Sequence, residues 1–199
     1  MEDEERGTRA QIIDATARAL TETGYARLTM ADIAAESETS TALLHYHFDT
    51  KEDLLVAFLD HLVDRLAADL ETAVAHEPVN ALAAILDVFV VDESEPDRES
   101  VHRSILELRA QAPHNERFRR RFRRADRLML EAITAVIADE RVRFLGTQAA
   151  PDRLALTVLA TMDGARSRQL ALGEPGYAAT VRDVILEQFT ERSDGPDAA

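Results

Sequence analysis

The 199-residue chain contains no cysteine, and its basic residues include a single lysine, Lys51. Without cysteine there are no disulfides, thiolate zinc sites, iron–sulfur clusters or cysteine nucleophiles. Glycine and proline are scarce, at 7 and 6 residues. Long apolar runs are missing too. The longest, Val79 to Val91, is interrupted by Asn80 and Asp87 and is too short to span a bilayer. The opening residues Met1-Glu2-Asp3-Glu4-Glu5 carry the wrong charge for a signal peptide. A cytoplasmic protein without a membrane partner is expected.

Basic residues are also in deficit. There are 23 Lys and Arg against 37 Asp and Glu, for a net charge of −14. Nucleic-acid binders usually present a basic face, so the balance argues against one. An acidic surface with almost no lysine also fits a protein of a high-salt cytoplasm. Net negative charge keeps proteins soluble there, and screening is short-ranged. A GC-rich genome favouring Arg, Ala and Asp codons would give a similar composition. With 46% hydrophobic residues the chain can build a core, so it is not a disordered acidic tail.

What is present reads as helix nearly throughout. Gly24, Pro78, Pro96, Pro113, Gly146, Pro151, Gly173 and Pro175 mark breaks, and apolar residues recur at helical spacing between them. No alternating strand pattern and no repeat stands out. The first helix is expected over about Thr8–Thr23, with Thr8-Arg9-Ala10-Gln11 as a capping box and Gly24 as its stop. Thr29 opens a short second helix, and a third covers about Thr41–His47. Thr50-Lys51-Glu52-Asp53 caps a long fourth. Five more are expected over roughly 79–92, 98–112, 115–141, 151–172 and 177–192. The fold class is therefore all-α, with about nine helices. A three-helix unit over 1–48 precedes a larger helical domain over 49–192, with a disordered tail over 193–199.

Two short helices joined by a polar turn form a helix-turn-helix pattern. The second begins with Thr39, Ser40 and Thr41 and then presents His45, Tyr46 and His47. A recognition helix contacts bases with its N-terminal residues. Hydroxyls and backbone N–H groups at its start suit phosphate oxygens. Tyr and His can bond phosphates and pack on sugars and thymine methyls.

The stretch Thr29-Met30-Ala31-Asp32-Ile33-Ala34, then Thr39-Ser40-Thr41-Ala42-Leu43-Leu44-His45-Tyr46-His47-Phe48-Asp49-Thr50-Lys51-Glu52-Asp53-Leu54-Leu55, resembles the DNA-binding domain of the tetracycline-repressor (TetR) family. The resemblance covers about residues 8–55. The rest is similar in helix number and length. It implies a homodimer of all-helical subunits that binds double-stranded operator DNA. It also implies a repressor released by a small-molecule effector held in the larger domain. No metal-binding spacing, Gly-rich phosphate loop or nucleophile elbow occurs in the sequence, so no cofactor and no enzymatic activity are expected. Thr29 would cap the second helix and face a phosphate. Ser40, Thr41 and Ala42 would start the recognition helix, with Thr39 in the turn before it. His45, Tyr46 and His47 would touch backbone and bases, and Lys51 a phosphate. Glu38 stands where the family usually has Gly, which demands a strained or different turn. Ala42 replaces another common Gly, and His45 a common Tyr.

Residues 1–52 hold eleven acidic and five basic residues. The domain that resembles a DNA binder is thus not basic, and weak nonspecific affinity with a shallow salt slope follows. His45 and His47 point about 200° apart on a helix, a poor geometry for one metal, so no metal site is expected. Residues 117–127 hold seven Arg. Helical spacing puts Phe118, Phe122, Ala125 and Met129 on one face and Arg117, Arg120, Arg121 and Arg124 on another. A solvated Arg face paired with nearby acids is expected, against an anion-binding or partner-binding face. His61, Phe89, His102, Met129 and Arg166 are candidates for a ligand pocket. Gly164 inside a helix suggests close approach of another helix. Leu154, Val158, Met162, Val181, Val184, Ile185 and Phe189 are candidates for a dimer seam. Three other readings stay open: a constitutive DNA binder without ligand control, a helical binder or enzyme with a nonfunctional helix-turn-helix, and an adaptor working through the Arg face.

Overall fold

The computed structural model describes residues 2–91 and 94–191. The expected tail 193–199 lies outside the described residues. Nine helices and two short strands are present among the described residues. They run α1 (Glu2–Thr23), α2 (Met30–Glu36), α3 (Thr41–His47), α4 (Lys51–Val74), α5 (Pro78–Asp87), α6 (Pro96–Gln111), α7 (Glu116–Ile137), β1 (Val142–Phe144), α8 (Pro151–Leu172), α9 (Tyr177–Glu187) and β2 (Phe189–Glu191). The all-α reading holds.

The helix starts follow local chemistry. The Thr29 side chain accepts from Asp32 N–H at 3.2 Å, and Asp32 returns a bond to Thr29 N–H at 2.8 Å. This capping box opens α2. Ser40 caps α3, accepting from Leu43 N–H at 3.1 Å. Thr50 caps α4, accepting from Asp53 N–H at 3.1 Å. Proline begins α5, α6 and α8, where its missing N–H costs nothing. The first helix departs from expectation, since it begins at Glu2, not Thr8. A run of acidic residues is a favourable helix start because it complements the dipole.

The chain divides into two compact units. The first comprises Met1–Arg65 and Asp92–Arg124. Its core gathers Ile12, Ile13, Leu20, Ile33, Leu44, Phe48, Leu54, Leu55, Phe58, Leu108 and Phe118. Helix α6 belongs here, fixed to α1 by Ser104 Oγ donating to Ala17 O (3.1 Å) and Thr21 Oγ1 donating to Ser100 O (3.1 Å).

The second unit comprises Leu66–Val91 and Ala125–Ala199. Its core includes Leu82, Ile85, Phe89, Met129, Ile133, Ala155, Met162, Ile185 and Phe189. Two sequence expectations are corrected here. A small antiparallel pair exists, β1 with β2, in register Phe144↔Phe189. The last helix stops at Glu187 rather than near 192, because Phe189 leaves the helix to pair with Phe144, ring centroids 6.3 Å apart. Three-residue strands are too short to show a period of two.

Candidate DNA-recognition surface

The helix pair α2–α3 is built around one buried anchor per helix. Ile33 and Leu44 are fully buried, each contributing about 2 kcal/mol of apolar burial. Between the helices the chain makes a Schellman turn. Thr39 N–H donates to Ala34 O at 3.0 Å and Glu38 N–H to Ala35 O at 3.3 Å. That turn needs one residue in the left-handed region, and it is Glu38, with φ of +54°. No other non-glycine among the described residues has positive φ. Ser37 and Thr39 hydroxyls share a 2.8 Å bond across the turn. Arg18 of α1 holds Glu36 of α2 through its Nε at 2.5 Å.

Burying Leu44 turns the opposite side of α3 outward. Thr41, Ala42, His45 and Tyr46 are exposed there, as is the cap Ser40. Tyr46 is 72% exposed, and its ring meets His47 edge-on at 5.2 Å. Thr29 is exposed at the start of α2, while Thr39, His47 and Lys51 are half-buried. The nine residues singled out in the sequence therefore fall on one short stretch, from the α2 cap to the first turn of α4. Phe48 is 4% exposed and belongs to the core.

Two carboxylates stand beside the helix starts of this surface, Asp32 and Asp53. Asp32 is held below the usual carboxylate range by the Thr29 hydroxyl and N–H. Asp53 is lowered by the Thr50 hydroxyl and then by Arg117. Both carboxylates stay charged close to the helix starts. Lys51 Nζ donates to Tyr25 O at 3.1 Å and lies 5.0 Å from the Tyr25 ring centroid. Tyr25 escaped the sequence reading. Its partners Lys51 and Glu107 are far away in sequence, and no local spacing signals them.

The other candidates divide between the two units. His61 lines an open cleft of about 400 Å³ in the first unit, with His47, Phe48, Asp53, Val56 and Asp60 among its walls. His102 is buried in the first unit. Phe89, Met129 and Arg166 are buried in the second. Arg166 lies 5.1 Å over the Phe89 ring and pairs with Asp163. No group of metal-ligating side chains occurs among the described residues.

The expected dimer seam needs correction. Val158, Met162, Ile185 and Phe189 are at most 9% exposed and form the core of the second unit. Leu154 and Val181 are partly buried against the same core. Of the seven, only Val184 is strongly exposed, at 53%. The helical spacing was read correctly, but it marked the face turned to the protomer's own interior. The outward face of α8 carries Leu156 (58% exposed), Ala160, Thr161 and Gly164.

Comparison with known proteins agrees with this architecture. Residues 12–58 match the family described as bacterial regulatory proteins, tetR family. Residues 78–192, more than half of the chain, match the C-terminal part of BetI-type transcriptional repressors. The chain belongs to the TetR family of transcriptional regulators. The HTH-type transcriptional regulator BetI of Brucella canis is 38% identical over 82 residues, 40% of this chain and 41% of that one. The match thus spans less than half the length of that relative. A TetR transcription regulator from Haloarcula marismortui is 36% identical, with 92% of this chain and 96% of that chain covered and a TM-score of 0.77. A transcriptional regulator from Saccharomonospora viridis, solved in complex with choline, is 25% identical with a TM-score of 0.71, covering 92% and 95% of the two chains.

Proposed function

We propose that this protein is a homodimeric, DNA-binding repressor of a pseudo-palindromic operator, released by a small-molecule effector, in a high-salt cytoplasm. The observation that carries the DNA-binding reading is the outward face of α3. A seven-residue helix buries Leu44 and presents Ser40, Thr41, Ala42, His45 and Tyr46 to solvent. Tyr46 holds its ring 72% exposed on this face. On a recognition helix it supplies a large planar contact with backbone and bases. Two such helices in a dimer would enter successive major grooves ~35 Å apart. An effector preferring another separation would then draw the population off DNA. The fold supports this reading, and so does the Haloarcula relative at 36% identity. Among the described residues no helix is long and apolar enough to cross a membrane.

The test is selection of a duplex from a random library in molar KCl, followed by binding of variants. His47→Ala and Lys51→Ala should each weaken specific binding. Unchanged affinity in both would sink the assignment of these residues. For effector control, a thermal-shift screen should begin with quaternary ammonium compounds, since the Saccharomonospora relative was solved with choline. A second reading is constitutive DNA binding without ligand control. It is favoured by the packing around Phe89, whose face is already covered by the buried Arg166 guanidinium. A thermal shift with any screened compound, paired with loss of DNA, excludes that second reading.

A further inference from the structure

Lys51 is the chain's single lysine, and it does not swing freely. One of its three N–H donors is taken by Tyr25 O at 3.1 Å, and its ammonium lies over the Tyr25 ring at 5.0 Å. Tyr25 follows Gly24, whose φ of +73° lets the chain reverse after α1. Two other side-chain contacts hold this turn. Tyr25 N–H donates to the Glu107 carboxylate of α6 at 2.7 Å. The Tyr25 ring meets Phe118 of α7 edge-on, centroids 6.2 Å apart and planes at 82°. A Cβ at Gly24 would stand 3.8 Å from the same Glu107 oxygen, so the carboxylate closes over the turn.

We propose that Tyr25 is a positioning residue for Lys51 and that Glu107 sets Tyr25, so that the position of α6 is read at the phosphate contact. The inference rests on the reading of residues 29 and 39–51 as the DNA face. A free lysine loses rotamer freedom when it docks on a phosphate. Tyr25 restrains the ammonium beforehand, and less freedom is then lost on binding. Two N–H donors remain for a phosphate oxygen. Glu107 holds the backbone that holds the lysine. A displacement of α6 therefore moves the anchor of Lys51 without touching DNA.

The experiment measures affinity and salt slope of the full-length protein on a duplex selected by the wild type. Lys51→Met should weaken binding and lower the slope by about one unit. Tyr25→Leu and Glu107→Ala should each weaken binding about two- to fivefold when Lys51 is present. Neither should weaken it further in the Lys51→Met background. Tyr25→Phe keeps ring and carbonyl and should bind like the wild type. Glu107→Gln keeps an acceptor and should recover most of the loss. Equal effects of Tyr25→Leu in both backgrounds would overturn the proposal, and so would no effect in either. If Tyr25→Leu does not fold, Glu107→Ala in the two backgrounds makes the same comparison. If Lys51→Met is silent while Tyr46→Ala weakens binding, the proposal fails and the DNA face stands. If both are silent, the DNA face itself is wrong.

Discussion

Arg121 of α7 grips Asp60 of α4 with two parallel bonds, Nε to Oδ1 at 3.0 Å and Nη2 to Oδ2 at 2.9 Å. The pattern repeats along the same two helices. Arg117 reaches Asp53 at 2.8 Å and Arg124 reaches Asp64 at 3.0 Å. Four of the seven arginines over 117–127 thus have a carboxylate, counting Arg119 with Glu116 on its own helix. Opposite these, Phe118 and Phe122 enter the core. The densest basic stretch of the chain zips two helices together, and much of its charge is already matched.

Arg121→Met should therefore lower thermal stability. The pair is partly exposed, at 22% and 40% for the two side chains, so its bidentate geometry is discounted for solvent screening. A loss of about 1 kcal/mol, or about 2–4 °C in melting temperature, is expected. Arg121→Lys should recover only part of it, because an ammonium cannot match both carboxylate oxygens. Calorimetry on the three proteins checks this. An unchanged melting temperature for Arg121→Met would mean that the pair contributes nothing in solution.

Glu38 offers a test of strain. Its φ of +54° costs a non-glycine residue about 1–2 kcal/mol. Glycine would remove that cost while losing about 0.5–1 kcal/mol to chain entropy. Glu38→Gly should thus stabilise the first unit slightly. Glu38→Gln keeps the strain and removes only the charge. On the DNA reading both variants should tighten operator binding, since each deletes an anion beside phosphates. Melting curves and binding isotherms separate the two effects. A stability gain in Glu38→Gln as large as that in Glu38→Gly would show that charge, not backbone, was at issue.

Acid should weaken the fold from a known direction. Arg141 bonds Asp139 through Nε and Nη2 at 3.0 and 2.9 Å and through its N–H at 2.9 Å, which brings the carboxyl down to about 2 from 3.8. Asp32 and Asp53 are lowered too, by Thr29 and by Thr50 with Arg117. A carboxyl with a depressed folded value takes up protons more readily when unfolded. Its stabilisation is full above about pH 4 and fades as the pH falls from 3.8 toward 2. Melting temperature should drop across that window. Asp139→Asn should drop less. A carboxyl NMR titration placing Asp139 near 3.8 would refute the assignment.

The caps of α2, α3 and α4 and the apolar face of α7 were legible in the sequence because they are local. Thr29, Ser40 and Thr50 declare themselves by residue type, and Phe118, Phe122 and Met129 by spacing. The left-handed turn at Glu38 was legible only as a departure from a family pattern. Contacts between distant segments were not legible. Nothing near Tyr25 announces Glu107 or Lys51. Helical periodicity also cannot say whether an apolar stripe faces its own core or a second subunit. Val158 and Met162 looked like a seam for that reason, and they are interior.

The outward face of α8 carries the last prediction. A glycine inside a helix costs about 1 kcal/mol relative to alanine. In the protomer a Cβ at Gly164 would have nothing within 4 Å. Packing inside one subunit therefore gives no reason to keep glycine. If a second copy approaches closely there, the reason is intermolecular. Leu156 and Val184, 58% and 53% exposed, would flank the same seam. Gly164→Leu and Leu156→Arg should then each convert dimer to monomer in sedimentation with helix content unchanged. Gly164→Ala distinguishes the alternatives by sign. It stabilises by up to about 1 kcal/mol if the face is solvated, and it destabilises the dimer if backbones meet there. A monomeric variant should also lose the operator, since one recognition helix cannot span two half-sites.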